Sequence, residues 1–136
     1  MEIQSDQIYH SKLVHLVFSS GLNPKIVNRY VETFDKYFSD LHVVANYTIN
    51  DCIRIYQDPD MLRNLSKINA CVQNAKKCLE LALVFGTFGN YLQELEREFY
   101  PDDMDSIAKK LSSHFKFIGP VNSVAFLEAV YENHYA

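Results

Sequence analysis

The chain has 136 residues, 48% of them hydrophobic and 22% charged, which suits one globular domain over residues 1–136 with a core that needs no staples. No apolar run reaches the length of a membrane span, and the opening Met-Glu-Ile-Gln-Ser-Asp does not read as a signal peptide, so a cytoplasmic protein is expected. The formal net charge of −4 is opposite to the basic excess of most nucleic-acid binders, so any such binding requires a local basic face.

In chain order, the apolar period predicts helices over about residues 7–20, 24–38, 48–57, 60–84, 86–98, 103–114 and 120–132, an all-α domain of about seven helices. Gly21 follows the first apolar stretch, where a glycine with positive φ ends a helix. Asn23-Pro24 then reads as an N-cap with proline at the first helical position, and Asp58-Pro59 repeats the pattern. Thr48-Ile-Asn-Asp51 fits a capping box in which Asp replaces the usual Glu. The stripe Leu65, Ile68, Val72, Ala75, Leu79 and Ala82 marks a long helix, with Gly86 as its stop. Pro101 precedes Asp102 and Asp103, acidic residues suited to a helix start. No internal repeat, low-complexity tract or linker divides the chain.

Five histidines and three cysteines raise the question of zinc. No Cys-x-x-Cys pair occurs, and no histidine lies within four residues of a cysteine, so no metal site and no cofactor are expected. Cys71 and Cys78 share a helix face two turns apart, too far for a disulfide, and Cys52 lies in another apolar segment; all three read as buried free thiols. The carboxylates Asp102, Asp103 and Asp105, and Glu94, Glu96 and Glu98, read as solvated helix faces. Ser19 and Ser20 precede Gly21 without forming a Gly-x-Ser-x-Gly elbow.

The segment from Phe115 through Gly119-Pro120 to Val130 ends one helix and starts another. Gly119 allows a sharp turn or a close approach, and Pro120 suits the first helical position. The following N–H groups, from Val121 and Asn122 onward, would then face outward unpaired, as an anion site that grips phosphate without reading sequence. Lys109, Lys110 and Lys116 flank this hairpin, while Arg63, Lys67, Lys76 and Lys77 are expected on the polar side of the long helix.

Three blocks of the sequence resemble the 3-methyladenine DNA glycosylase I family of the helix-hairpin-helix DNA glycosylase superfamily. Arg63-Asn-Leu-Ser-Lys-Ile-Asn-Ala-Cys-Val-Gln-Asn-Ala75 is similar to its Arg-Asn-x-x-Lys-Ile-x-Ala-x-x-x-Asn-Ala helix. Gly86-Thr-Phe-Gly-Asn-Tyr-Leu92 resembles its Gly-Ser-Phe-x-x-Tyr-Leu segment, and Phe115-Lys-Phe-Ile-Gly-Pro120 with Phe126-Leu-Glu-Ala-Val130 resembles its hairpin.

The resemblance implies a compact helical fold that binds double-stranded DNA, flips out an alkylated base such as 3-methyladenine and hydrolyses its glycosidic bond in base-excision repair. It implies a nucleoid-associated location in a bacterium or archaeon. The hairpin residues Ile118, Gly119, Pro120, Val121 and Asn122, with Lys109, Lys110 and Lys116, would contact DNA; Tyr9, Phe18, Ser19 and Asn23 would line the base pocket by position. The catalytic residue stays unassigned. Asn23-Pro24 stand where the family carries Ser-Trp, Leu16 falls near a base-contacting glutamate, and the chain has no Trp. His134 sits near a family zinc-ligand position without the accompanying cysteines. Two alternatives therefore stand beside the enzyme: a catalytically degenerate helix-hairpin-helix module that binds DNA or a protein partner, and a helical interaction protein.

Overall fold

A computed structural model of the chain describes residues 1–132; His134 lies outside them. Among the described residues there are nine α-helices and no strand. They are α1 (Asp6–Ser19), α2 (Pro24–Asn28), α3 (Val31–Phe38), α4 (Leu41–Ala45), α5 (Ile49–Gln57), α6 (Leu65–Phe85), α7 (Phe88–Phe99), α8 (Met104–His114) and α9 (Pro120–Leu127). A π-helical turn, Glu128–Glu132, continues α9. The central element is α6, with α1, α4, α5 and α7 packed around it and α8 paired with α9.

Several boundaries follow the sequence signals. Gly21 and Gly86 take φ of 75° and 94°, a region that favours glycine. The Asn23 side chain accepts from the Lys25 N–H at 2.9 Å and Pro24 opens α2. Thr48 and Asp51 form the reciprocal capping box. Others differ. The stretch 24–38 breaks at Arg29 and Tyr30 into two helices, and α4, capped by Asp40, was not expected. Asp58-Pro59 starts no helix: Asp58 terminates α5, accepts from the Asp60 N–H at 2.8 Å, and is bonded by Lys36 and the Tyr37 hydroxyl from α3. The long helix begins at Leu65 under the cap of Asn64, whose Oδ1 accepts from the Lys67 N–H at 3.0 Å.

The Gly86–Leu92 block has a packing explanation. Thr87 caps α7 through Asn90, and Asp6 at the start of α1 accepts from the N–H groups of Phe88 and Gly89 at 2.9 and 3.0 Å. A Cβ on Gly89 would lie 2.6 Å from Ile3 and 3.1 Å from Tyr9, so only glycine permits this approach of the N-terminal segment and α1 to α7. Phe88 and Leu92 are fully buried beside it.

Candidate nucleic-acid interface

The hairpin between α8 and α9 is held from inside the protein. Phe115 and Ile118 are buried, anchoring the connection at both ends. Between them the chain turns at Phe117, a non-glycine residue with φ of 59°. Gly119 itself has φ −79° and ψ −176°, an extended conformation open to any residue, and a Cβ there would meet nothing within 4 Å. The turn expected at Gly119 is thus made by Phe117. A Cβ at Gly119 would face open space.

Gly119 occupies the N-cap of α9 and Pro120 its first position, with no side-chain cap. The first intrahelical bond runs from the Ser123 N–H to the Gly119 carbonyl at 2.8 Å. The Val121 and Asn122 amides precede it, at a helix end that bears partial positive charge. The Val121 side chain is 83% exposed and that of Phe117 is 43% exposed, so the tip presents apolar surface beside the amides. Ile118, grouped by sequence with the DNA-contacting residues, turns its side chain into the core; only its backbone belongs to the tip.

Lys109, Lys110 and Lys116 are exposed. The Lys110 ammonium lies 5.6 Å from the centre of the Phe99 ring. Partial burial, then the Lys77 and Lys110 ammoniums, lower the pKa of His114 from its ordinary value. Lys77 also pairs with Glu80 at 2.7 Å.

Lys67 departs from the expected polar face. It is buried, and its ammonium donates to the carbonyls of Phe18 at 3.1 Å and Ser20 at 2.5 Å, capping the C-terminal end of α1. Two turns on, Asn74 is 1% exposed and bonded twice to the Lys116 backbone: its Nδ2 donates to the carbonyl at 3.1 Å and its Oδ1 accepts from the N–H at 2.8 Å. The polar positions of the long-helix block thus tie the exit of α1 and the hairpin to a single helix.

The four residues assigned by position to a base pocket do not share one surface. Phe18 is fully buried and stacked on Phe34 with ring centres 4.6 Å apart. Tyr9 is 2% exposed, its hydroxyl accepting from the Gln4 N–H at 2.9 Å and its ring edge-on to Phe88. Both serve the core, because α1 turns these positions inward. Ser19 is half-buried and donates to the His15 carbonyl at 2.7 Å, while Asn23 is exposed at the start of α2. Leu16 is half-buried against the core. A concavity that sequence reasoning missed, of about 360 Å³, lies between α1 and α3, with Phe34 and Phe38 on its apolar side and Ser11, Lys12, His15 and Asp35 on its polar side. Its residues come from two helices whose pairing no local pattern reveals.

Among the described residues no three His, Cys, Asp or Glu side chains are grouped to hold a metal. All three cysteines are free and buried, and burial raises their pKa values.

A sequence model of the methyladenine glycosylase family matches residues 1–134. The chain belongs to that family. Solved structures of similar fold include a mutant of 3-methyladenine DNA glycosylase I from Staphylococcus aureus, with a TM-score of 0.80 and 22% identity over 95% of this chain and 78% of that one. A structure of the S. aureus enzyme described as the basis of 3-methyladenine recognition gives a TM-score of 0.81 at the same identity and coverage. A variant of 3-methyladenine DNA glycosylase I in complex with 3-methyladenine gives 0.79, also at 22% identity, over 95% of this chain and 78% of that one. At this identity the likeness establishes the all-helical fold, and family membership rests on the sequence match. No helix among the described residues is long and apolar enough to cross a membrane.

Proposed function

We propose that the protein is a monofunctional DNA glycosylase of base-excision repair, acting on alkylated bases of which 3-methyladenine is the best candidate. The observation that carries this reading is the hairpin tip: a glycine that neither backbone angle nor packing requires, standing before unpaired amides. A duplex phosphate seated there would receive the Val121 and Asn122 N–H groups, with Lys109, Lys110 and Lys116 adding charge and none of them reading sequence. The protein would then act wherever duplex DNA is found, in a bacterium or archaeon at the nucleoid.

The substrate class follows from leaving-group chemistry. A 3-methyladenine nucleotide is cationic, so breaking its C1′–N9 bond returns the electron pair to a ring that leaves neutral. Water adds to C1′ and releases its proton to solvent. Such a base needs less acid catalysis than uracil or hypoxanthine, which suits a chain with Leu16 near the family's glutamate position. Base reading is assigned to the exit of α1, where Ser19 and Asn23 supply polar atoms and Asn23 directly precedes Pro24, the residue in place of the family's tryptophan. Loss of hydrogen bonds worth about 1–3 kcal/mol predicts excision slower by roughly one to two orders of magnitude than in a relative that keeps both residues.

The absence of tryptophan and the burial of Phe18 favour a second reading, a degenerate module that binds duplex without excising. Release of bases from 3-methyladenine-containing duplex, measured beside binding to undamaged duplex, separates the two. Slow release of 3-methyladenine with no release of uracil is expected. Robust uracil release would overturn the substrate class, and binding without release of any alkylated base would establish the module.

A further inference from the structure

We infer that Asn74 is a positioning residue for DNA binding: its side-chain amide sets the pose of the hairpin tip that meets phosphate. This rests on the phosphate-binding reading of the hairpin and names the device that makes it work.

The clasp is specific to one backbone unit. A primary amide carries its donor and its acceptor on two separate atoms, and Asn74 spends one hydrogen bond of each kind on the N–H and C=O of Lys116. Lys116 lies immediately before Phe117, the residue with positive φ, and three before Gly119. A left-handed non-glycine residue costs energy and persists only where its surroundings determine it. Those surroundings are few: the clasp on the preceding residue, a long 3.5 Å contact from the Asn122 Nδ2 to the Phe117 carbonyl, and the buried Ile118 after it.

Asn74 is therefore the principal polar constraint on the path from α8 to Gly119, and it comes from the central helix. Without it the Lys116 unit loses both partners, Phe117 can relax toward negative φ, and the amides at 121 and 122 turn away from the position that a phosphate must share with Lys116.

The test uses Asn74→Leu, close in size and unable to bond, beside Ile55→Ala, a buried truncation on α5 that lowers stability away from the hairpin. Binding of undamaged duplex is measured against salt at a temperature where both variants are folded. Asn74→Leu is expected to bind about fivefold to tenfold more weakly, with the log–log salt slope reduced by about 0.9, the loss of one phosphate contact. Ile55→Ala should keep the wild-type affinity and slope, since reduced stability alone moves neither. If Asn74→Leu does not fold, Asn74→Ala, which also removes the clasp, is read by the same two quantities.

Wild-type affinity and slope in the clasp variant would overturn the inference. Gly119→Glu separates the two layers. Weakened binding in Gly119→Glu with none in the clasp variant refutes the role of Asn74 alone, whereas unchanged binding in Gly119→Glu refutes the phosphate-binding hairpin and this inference with it.

Discussion

His10 makes the fold sensitive to mild acid, and the direction follows from its surroundings. The ring is fully buried on α1, with Nε2 3.0 Å from the Cys71 carbonyl and Nδ1 without a partner. The Nε2–H donates to the carbonyl, so Nδ1 holds the lone pair. Protonation would place a second N–H, and a charge, where neither water nor an acceptor reaches. Burial accordingly lowers the His10 pKa below its ordinary 6.5, against the smaller opposing effect of the carbonyl.

Between that lowered value and 6.5 the unfolded chain binds a proton that the folded chain does not. Stability is then fully present above 6.5 and is lost as pH falls below it, by up to about 1.4 kcal/mol per pH unit from this one group. His114 acts in the same direction, its pKa lowered by partial burial and by Lys77 and Lys110. The carboxylates Asp58 and Asp103 have pKa values held below 3.8 by hydrogen bonds, to Tyr37 and Ser106 foremost, so their contribution is lost only in stronger acid. The interval from about pH 7 to pH 5 thus isolates the histidines.

His10→Gln keeps an N–H donor and removes the titration. Urea unfolding of both proteins across that interval should show the wild type losing stability more steeply, by up to about 1.4 kcal/mol per pH unit. Parallel dependences would refute the assignment, as would a folded-state NMR titration of His10 centred at 6.5.

Phe18→Ala should cost about 3–5 kcal/mol in urea unfolding, because the ring is fully buried against Phe34 and Phe38; a loss under 1 kcal/mol would return Phe18 to the role of an accessible pocket residue. Asn23→Ala should lower stability by about 1 kcal/mol through loss of the α2 cap, and should further slow any 3-methyladenine release measured well below the melting temperature. Purified protein should carry no stoichiometric zinc, and a chelator should leave Tm unchanged, since the three thiols are buried and free; a bound metal found by elemental analysis would contradict this.

The parts of the fold legible in the sequence are those fixed by local chemistry. Gly21 and Gly86 stop helices because the required φ is one that other residues resist, and Thr48 with Asp51 closes a cap within one turn. Asp58-Pro59 and Asn64 offer competing helix starts a few residues apart, and the choice between them is tertiary. Tyr37 and Lys36 reach from α3 to occupy the Asp58 carboxylate, leaving Asn64 to cap α6. The hairpin shows the same limit. Gly119 drew the expectation of a sharp turn because glycine is the permissive residue, yet the left-handed conformation fell to Phe117, whose neighbours are fixed from another helix. No periodicity marks such a residue, because the cause lies at Asn74, 42 positions before the Lys116 unit that it holds.

Polar residues occupy the buried side of α6 for a related physical reason. Lys67 and Asn74 are seven apart, so a helix places them on one face two turns from each other, with Ile68 and Cys71 buried between. A lysine and an asparagine inside a core would cost stability if left unpaired. Each instead satisfies backbone groups that regular structure cannot: the carbonyls at the end of α1, and the Lys116 unit where the chain leaves α8. Apolar residues at both positions would bury as much surface and hold neither segment in a fixed direction. The exit of α1 and the hairpin tip are the two places to which base reading and phosphate binding are assigned, so their separation is set by the rise of one rigid helix rather than by the loops that join them.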